Sequence, residues 1–322
     1  VFDVKVDNIT YGENATVRVL VPTDASGNVT INIDGKIIKN VTIVNGTAIW
    51  ENIAGLAGGN HTVNVTYVGD SRYKAKDLNG TKFKVNPKTW EPTVIGVYNP
   101  YGEYTTIKLS KIPLDLGGAI TIEIDGISYP VTVDGHGNAT LRLNNLSAGT
   151  HDGFVVFAGN ANYSSLNKKF VPSIPKATPT ITLIQNGTDL IATVTGNVTG
   201  NVTFRVTNVP YTIDLTEAKN ATLVGKLKIG DNYVIATYNG NENYTTAETA
   251  DVYNVGKLNT TIVVECEDIK FGENELINVT VNENATGFIA VRIGTQIYVE
   301  YINQGVARFN ISGLAAKTYS GV

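Results

Sequence analysis

Four stretches of the chain alternate apolar and polar residues with a period of two. They begin at Gly27, Gly118, Gly200 and Gly287, which stand 91, 82 and 87 residues apart. Alternation with this period predicts β-strands that bury one face and expose the other. Its return at nearly constant spacing predicts a tandem repeat, so the organisation of the whole chain follows from one unit.

Each unit contains about seven short apolar runs, separated by turns rich in Gly and Asn. In the first unit the predicted strands are 2–8, 14–21, 28–33, 37–44, 46–53, 61–68 and 81–86. Asp34-Gly35 and Asp125-Gly126 separate two runs each and predict tight type I′ hairpins, because both residues tolerate a positive φ. Seven short strands in about 85 residues favour an immunoglobulin-like β-sandwich. No segment has the periodicity of an amphipathic helix.

Short stretches rich in Pro, Lys and Gly separate the units and predict the module boundaries. The predicted modules are 1–88, 89–176, 177–257 and 258–322. The third diverges most, and the fourth lacks its last two strands. We therefore predict an all-β chain of tandem immunoglobulin-like β-sandwich modules, arranged as an extended rod because the linkers are short. The chain opens inside a strand pattern, so we expect a piece of a longer protein.

A second landmark is a Gly-Asp/Asn-x-x-Tyr turn after a strand that ends in an aromatic residue. It occurs at 69–73, 159–163 and 240–244, and a Gly-Leu turn such as Gly55-Leu56 precedes it. With the opening Asn-Ile-Thr-Tyr-Gly-Glu-Asn at 8–14, these motifs resemble the bacterial Ig-like repeats of surface adhesins. They are also similar to large adhesin-like surface proteins of methanogenic archaea. The resemblance covers the whole chain and implies display at the cell surface.

The resemblance implies a non-catalytic stalk or spacer segment of an extracellular, cell-surface adhesin. Its expected partners are the neighbouring modules and, through other regions, a host or microbial cell surface. The alternative is a subunit of a self-assembling filament or surface layer that binds copies of itself, with a partner strand completing the open fourth module. A carbohydrate-binding accessory region of a secreted enzyme is a third hypothesis.

Composition narrows the chemistry further. The net charge of −4 provides no basic surface for nucleic acid, and no apolar run reaches the length of a membrane span. The single cysteine, Cys266, permits no internal disulfide. His61, His136 and His151 lack metal-ligand spacing and are expected at the surface or at strand edges. We therefore predict no catalytic residue, no metal and no cofactor.

About twenty Asn-x-Ser/Thr sequons are candidate glycosylation sites. The candidates are Asn8, Asn14, Asn28, Asn64, Asn138, Asn162, Asn201, Asn243, Asn278 and Asn310. The turn tyrosines Tyr73, Tyr163 and Tyr244 are expected to close the module end, with the hydroxyl bonded to a backbone carbonyl.

Two means of stiffening the modules stay open. Asp34, Asp70 and Asp125 are candidate calcium ligands, although they are scattered along the chain. An isopeptide bond between Lys5 and Asn86 fits module 1 by position, and the other modules have no equivalent lysine on the first strand.

Overall fold

A computed structural model describes residues 1–320 of the chain, and within that range every regular element is a β-strand. The strands form four successive units, each built on two main sheets, which we number sandwiches 1–4. The prediction of an all-β chain of tandem immunoglobulin-like sandwiches is therefore confirmed.

Sandwich 1 contains eight strands in two sheets. The strands are β1 Asp3–Val6, β2 Ile9–Thr10, β3 Ala15–Leu20, β4 Asn28–Ile33, β5 Ile37–Thr42, β6 Thr47–Ile53, β7 Gly59–Tyr67 and β8 Lys76–Asn86. One sheet has the order β1-β3-β6 and the other β2-β8-β7-β4-β5. The β2–β8 pair is parallel and all other pairs are antiparallel. The predicted first strand, 2–8, is thus observed as β1, and the short β2 that follows it joins the opposite sheet.

Sandwiches 2 and 3 repeat this arrangement. Sandwich 2 contains β9 Thr93–Val97, β10 Thr105–Ser110, β11 Ile120–Ile124, β12 Ile127–Val131, β13 Ala139–Leu143, β14 Gly149–Thr150, β15 Gly153–Phe157, β16 Leu166–Phe170 and β17 Ser173–Ile174. Sandwich 3 contains β18 Ile181–Asn186, β19 Asp189–Val194, β20 Asn201–Val206, β21 Val209–Asp214, β22 Asn220–Leu223, β23 Gly230–Tyr238 and β24 Ala247–Val255. Their main sheets have the orders β12-β11-β15-β16 and β21-β20-β23-β24, which match β5-β4-β7-β8.

Sandwich 4 has five strands in its described part. They are β25 Val263–Glu265, β26 Glu275–Thr280, β27 Phe288–Ile293, β28 Gln296–Tyr301 and β29 Val306–Ile311. One sheet is β25-β26-β29 and the other is only β27-β28. Up to residue 320 there is no equivalent of β7 or β8, so the edge of β27 that faces those strands elsewhere is unpaired.

The period-two pattern explains the cores. In β4 the apolar residues Val29, Ile31 and Ile33 are fully buried, while the residues between them point outward. Burying an isoleucine or valine side chain contributes about 1.5–3 kcal/mol. The same positions of β11 and β20 are also buried, so each sandwich has a core cluster of its own.

The hairpins after these strands have the predicted backbone. Asp34 and Gly35 have φ of 53° and 71°, and Asp125 and Gly126 have 50° and 80°. Two consecutive residues with positive φ define the type I′ turn. In sandwich 3, the pair 207–208 adopts the same turn without Asp-Gly, with φ of 48° and 69°.

Candidate functional site at the junctions between sandwiches

The first junction joins two groups of sandwich 1 to one end of sandwich 2. The backbone N–H of Gly58, in the turn between β6 and β7, donates to Oδ1 of Asn162 at 2.7 Å. The hydroxyl of Tyr11 donates to Oδ2 of Asp115 at 2.9 Å. The Tyr11 ring also meets Tyr163 edge to face, with 5.4 Å between centroids. Side chains of sandwich 2 thus recognise a turn and an aromatic residue of sandwich 1.

The second junction repeats the first at equivalent positions. The N–H of Ala148 donates to Oδ1 of Asn243 at 2.9 Å. Tyr101 meets Tyr244 edge to face, with 5.5 Å between centroids. The carboxylate is missing here, because Asn197 takes the position of Asp115 and its N–H donates to the Tyr244 hydroxyl at 3.0 Å. The hydrogen bond from the turn and the pair of aromatic rings are therefore the shared elements of both junctions.

The linkers are held by backbone hydrogen bonds on the side of the following sandwich. Lys88 N donates to Asn162 O at 2.8 Å, and Ser164 N donates to Lys88 O at 3.0 Å. Ala177 makes the same two contacts at the second junction, with Asn243 O at 3.0 Å and Thr245 N at 2.9 Å. Each linker thus adds a one-residue parallel bridge to the next sandwich, which restricts its motion.

The Gly-Asp/Asn-x-x-Tyr motif forms the receiving side of the junction. Oδ1 of Asn160 accepts the N–H groups of Asn162 and Tyr163, at 2.9 and 2.8 Å, and closes the turn. Asp70 and Asn241 do the same in sandwiches 1 and 3. The motif begins with glycine because φ is positive and a Cβ would approach backbone atoms within 3.0 Å in all three copies.

The turn tyrosines lie at the ends of the sandwiches, beside these turns. Tyr163 and Tyr244 are buried, and Tyr73 is half-buried. The hydroxyl of Tyr163 donates to Oδ1 of Asp115 at 2.6 Å, and that of Tyr73 to Asp24 at 2.7 Å. The hydroxyl partner in both is a carboxylate, whereas the expected partner was a backbone carbonyl. A carboxylate has a second oxygen, and at Asp115 this oxygen binds Tyr11 of the preceding sandwich.

A pair of His and Asp side chains supports each donating turn, and the sequence interpretation missed it. His61 and His151 are 9% and 8% exposed, so the expectation of a surface position is wrong for both. His61 Nδ1 lies 2.6 Å from Asp34 Oδ2, and Nε2 lies 2.8 Å from the carbonyl oxygen of Ala57. His136 is exposed, as expected. The buried imidazole therefore connects the hairpin after β4 to the turn that carries Gly58.

The hydrogen bonds at these sites shift the ionisation of their groups. The hydroxyls of Tyr163 and Tyr11 hold the pKa of Asp115 below its usual value. The hydrogen bond to Asp115 raises the pKa of Tyr11, and burial together with the same carboxylate raises the pKa of Tyr163. The hydrogen bond from His151 lowers the pKa of Asp125. The pKa of His151 is raised: burial opposes its charged form, but hydrogen bonds to Asp125 and the Ser147 carbonyl outweigh that effect.

At the third boundary only the donating side can be compared, because residues 258–320 contain no counterpart of the receiving Gly-Asp/Asn-x-x-Tyr turn. No hydrogen bond, ion pair or aromatic pair joins residues 177–257 to residues 258–320. Ile229 occupies the position of Gly58 and Ala148, and it is 64% exposed. Strands β18 and β19 are joined by a two-residue turn, with Asn186 paired to Asp189. No residue of this turn corresponds to Tyr11 or Tyr101.

Two cavities lie close to these elements. One of about 220 Å³ lies in the first junction, between Tyr11, Leu56, Lys88 and Asp115. A larger one of about 410 Å³ lies in sandwich 4, beside residues 266–271. In sandwich 1 the equivalent segment contains β2, which pairs with β8. Because the described part of sandwich 4 has no equivalent of β8, its cavity marks an uncovered sheet rather than a built ligand site.

The glycosylation candidates divide by exposure. Asn8, Asn14, Asn28 and Asn310 are exposed, whereas Asn64, Asn138, Asn162, Asn201, Asn243 and Asn278 are half-buried. Two of the half-buried residues, Asn162 and Asn243, are the acceptors at the junctions. Their use in docking could have been inferred from the Asn-Tyr pair that sandwiches 2 and 3 share and sandwich 1 lacks.

The calcium candidates have protein partners in the structure. Asp34 and Asp125 bind the buried histidines, and Asp70 accepts backbone N–H groups of Ser26, Arg72 and Tyr73. Residues 1–320 contain no group of three or more His, Cys, Asp or Glu that could hold a metal ion. The same residues include no helix long and apolar enough to cross a membrane.

The candidate isopeptide partners lie in different sheets. Lys5 is exposed in β1, which pairs with β3, and Asn86 ends β8, where it pairs with Thr10.

Comparisons with known proteins extend the description of the fold. No family model matches the chain, and no curated protein matches it. Among solved structures, the chain is similar to a Ca²⁺-stabilized adhesin that helps an Antarctic bacterium reach out and bind ice. The sequence identity is 15% and the TM-score is 0.29, and the match covers 94% of this chain and 86% of that chain.

Two further solved structures show a comparable degree of similarity. One concerns the host cell surface retention of a 1.5-MDa bacterial ice-binding adhesin, with 12% identity, TM-score 0.28, and coverage of 79% of this chain and 98% of that chain. The other contains the fibronectin(III)-like modules of Clostridium thermocellum CbhA, with 14% identity, TM-score 0.22, and coverage of 54% and 94%. At TM-scores below 0.3, none of these similarities assigns a ligand or an activity to this chain.

Proposed function

We propose that this chain is a non-catalytic stalk segment of an extracellular, cell-surface adhesin-like protein, which carries another region of that protein away from the surface. The observation that carries the proposal is the junction, because equivalent residues of successive sandwiches make the same contacts twice. A flexible linker made of independent modules would need no repeated contact between neighbouring modules. A stalk needs such contacts, because neighbouring modules resist compression and bending only where they are docked to each other.

The exposed surface supports an extended shape. A compact monomer of 34.5 kDa exposes roughly 13,000 Å² by the usual scaling with mass. The described chain exposes 19419 Å². The excess is expected when four small sandwiches touch only at their ends. The module boundaries at 88, 176 and 257 belong to the same proposal, since the contacts described above lie on either side of the first two.

Small-angle X-ray scattering of the purified chain tests the proposal. A nine-residue strand such as β7 sets a length of about 30 Å per sandwich, so four in line span about 120 Å. A rod of that length has a radius of gyration of about 35 Å, against roughly 20 Å for a compact globule of 322 residues. A value near 20 Å would overturn the stalk proposal.

The filament hypothesis keeps one supporting observation. Phe288 and Tyr301 form an exposed aromatic pair on sandwich 4, 65% and 64% exposed, which offers a surface for contact with another copy of the chain. Light scattering over a wide concentration range separates the two functions. A constant mass of one chain favours the stalk, and ordered polymers whose mass grows with concentration favour the filament.

The sequons allow a proposal about which positions of the stalk carry glycans. We expect glycans on exposed sequons such as Asn28, because Asn28 and Thr30 point away from buried Val29. We expect none on Asn162 and Asn243, whose amide groups lie in the junctions. Peptide mass mapping of the protein from its native source tests this pattern, and a glycan on Asn162 would contradict it.

A further inference from the structure

The buried histidines have an unusual set of hydrogen-bond partners. Both ring nitrogens of His151 face acceptors: Nδ1 lies 2.6 Å from Asp125 Oδ2, and Nε2 lies 2.9 Å from the carbonyl oxygen of Ser147. A neutral imidazole has one N–H and one lone pair, so it satisfies only one of two acceptors. A neutral imidazole beside a carboxylate therefore has one proton too few. Both contacts are hydrogen bonds only when the His–Asp pair binds one additional proton.

The same pair occurs in sandwich 1 with the same geometry. His61 contacts Asp34 at 2.6 Å and the carbonyl oxygen of Ala57 at 2.8 Å. In each sandwich the second oxygen of the aspartate accepts the N–H of the residue after the histidine, at 2.8 Å for Thr62 and 2.9 Å for Asp152. Two independent copies show that the arrangement belongs to the fold of these modules.

The position of the pair gives it a connection to docking. The carbonyl groups that bind the imidazoles belong to Ala57 and Ser147, and the next residues are Gly58 and Ala148. The N–H groups of these next residues donate to Asn162 and to Asn243. The peptide unit that binds the histidine through its oxygen is therefore the one that binds the next sandwich through its nitrogen.

Sandwich 3 has an arrangement that needs no extra proton. Asn232 takes the position of His61 and His151, and it is 2% exposed. Its Oδ1 accepts the N–H of Lys228 at 2.9 Å, and its Nδ2 donates to the carbonyl of Lys228 at 2.7 Å. Sandwich 3 therefore shows that the same turn can be held by a neutral side chain, without the extra proton that the His–Asp pairs need.

We propose that docking at the first two junctions is linked to a proton, which the buried His–Asp pairs bind in the docked state and release when the turn loosens. With the proton bound, the imidazole holds the carbonyl of the turn and keeps its N–H aimed at the next sandwich. Without it, a nitrogen lone pair faces an acceptor, and the turn separates from the histidine. The stalk is therefore stiff in mildly acidic solution and more flexible in alkaline solution.

The surrounding charges agree with this direction. Asp125 is the ionisable side chain in contact with His151, and Asp152 beside it is paired with Lys169 at 2.7 Å. His61 contacts Asp34, whose carboxylate also feels the positive charge of Lys36. The ring of His61 stacks on Phe83, which carries no charge. The pKa of His151 is raised, so the contribution of its proton is complete below its unfolded pKa of about 6.5 and is lost as the pH rises through the folded value.

Hydrogen exchange at residue resolution on the whole chain tests the proposal. The probe is the N–H of Ala148, which donates across the second junction, and the internal control is the N–H of Lys228, which Asn232 holds. After correction for the intrinsic effect of pH on exchange, we expect the protection of Ala148 to fall about tenfold between pH 6 and pH 9, the order expected for one lost charge-assisted hydrogen bond. The protection of Lys228 should stay constant.

His151→Asn, which copies sandwich 3, should abolish the pH dependence at Ala148 while the N–H of Gly58 keeps it. The matched control is His136→Asn, because His136 is exposed and belongs to no such pair. If the protection of Ala148 and Gly58 in the unmodified protein stays constant from pH 6 to pH 9, the proposal is overturned, whatever the variants show. A pH dependence that persists in His151→Asn would overturn it as well. Neither outcome bears on the stalk proposal, which the radius of gyration decides.

Discussion

The substitution Gly58→Ala tests the first junction most sharply. A Cβ on Gly58 would lie 1.7 Å from the carbonyl oxygen of Ala161 and 2.3 Å from its carbon, and both are backbone atoms. Contacts of a Cβ under 3.0 Å essentially never occur, so the two sandwiches have to separate by at least about 1.3 Å. The hydrogen bond from residue 58 to Asn162, 2.7 Å long, does not survive that displacement.

The expected cost follows from the contacts that open together. A neutral hydrogen bond contributes about 1 kcal/mol and the edge-to-face pair about 1 kcal/mol. The hydrogen bond from Tyr11 to Asp115 is exposed to solvent and adds little. We therefore expect Gly58→Ala to reduce the free energy of docking by about 2 kcal/mol. The folding of each sandwich should be unaffected, because the three atoms nearest to the new methyl group all belong to the neighbouring sandwich.

Hydrogen exchange of the linker amides measures this loss. Lys88 N and Ser164 N take part in the bridge between linker and sandwich 2, and their protection should fall roughly thirtyfold for 2 kcal/mol. Gly135→Ala is the matched control, because a Cβ there meets nothing within 4 Å and its φ is outside the left-handed region. Unchanged protection of both amides in Gly58→Ala would refute the docked junction as described.

Three further predictions concern single groups. Tyr11→Phe removes the hydrogen bond to Asp115 and should lower the protection of the same linker amides by less than Gly58→Ala does. Tyr104→Phe, at an exposed ring whose hydroxyl has no hydrogen bond, should leave that protection unchanged. Acidification should weaken the first junction more than the second, which has no carboxylate. The pKa of Asp115 is lowered, so its contribution to stability is present above about pH 4 and is lost as the pH falls through the folded value. Hydrogen exchange between pH 5 and pH 2.5 would show this loss. Gly159→Ala should lower the unfolding free energy of sandwich 2 by about 1–2 kcal/mol in denaturant titrations, because φ is +85° and a Cβ would lie 2.8 Å from Ser165 N.

The sequence predicted the strands because burial of one face imposes a period of two that is readable without any partner. It predicted the hairpin at Asp34-Gly35 because few residue pairs tolerate two positive φ angles. It missed the equivalent turn at 207–208, where threonine has φ of 48°. The strands on either side are paired along their full length and impose the turn, so the local preference of threonine is overridden.

The junctions were not predicted, because their partners are far apart in sequence. Gly58 and Asn162 are separated by 104 residues, and Ala148 and Asn243 by 95. Neither a turn glycine nor an asparagine in a loop has a pattern that indicates a partner. The signal that was present lies in the comparison between repeats: a Gly-x-His segment occurs at 59–61 and 149–151 and is replaced by Gly-Asp-Asn at 230–232.

The difference between the first two junctions follows from a single position. The first has the hydrogen bond from the turn, the pair of aromatic rings and the shared carboxylate. The second loses only the carboxylate, because Asn197 stands where Asp115 does.

Sandwich 3 differs on its donating side, since a two-residue turn joins β18 and β19 and Ile229 occupies the donor position. The core of sandwich 3 is nevertheless complete, so these differences do not reflect a weaker fold. The residues that stabilise a module and the residues that dock it to its neighbour are thus different. A tandem chain of this kind can therefore change the docking groups of one module without destabilising the module itself.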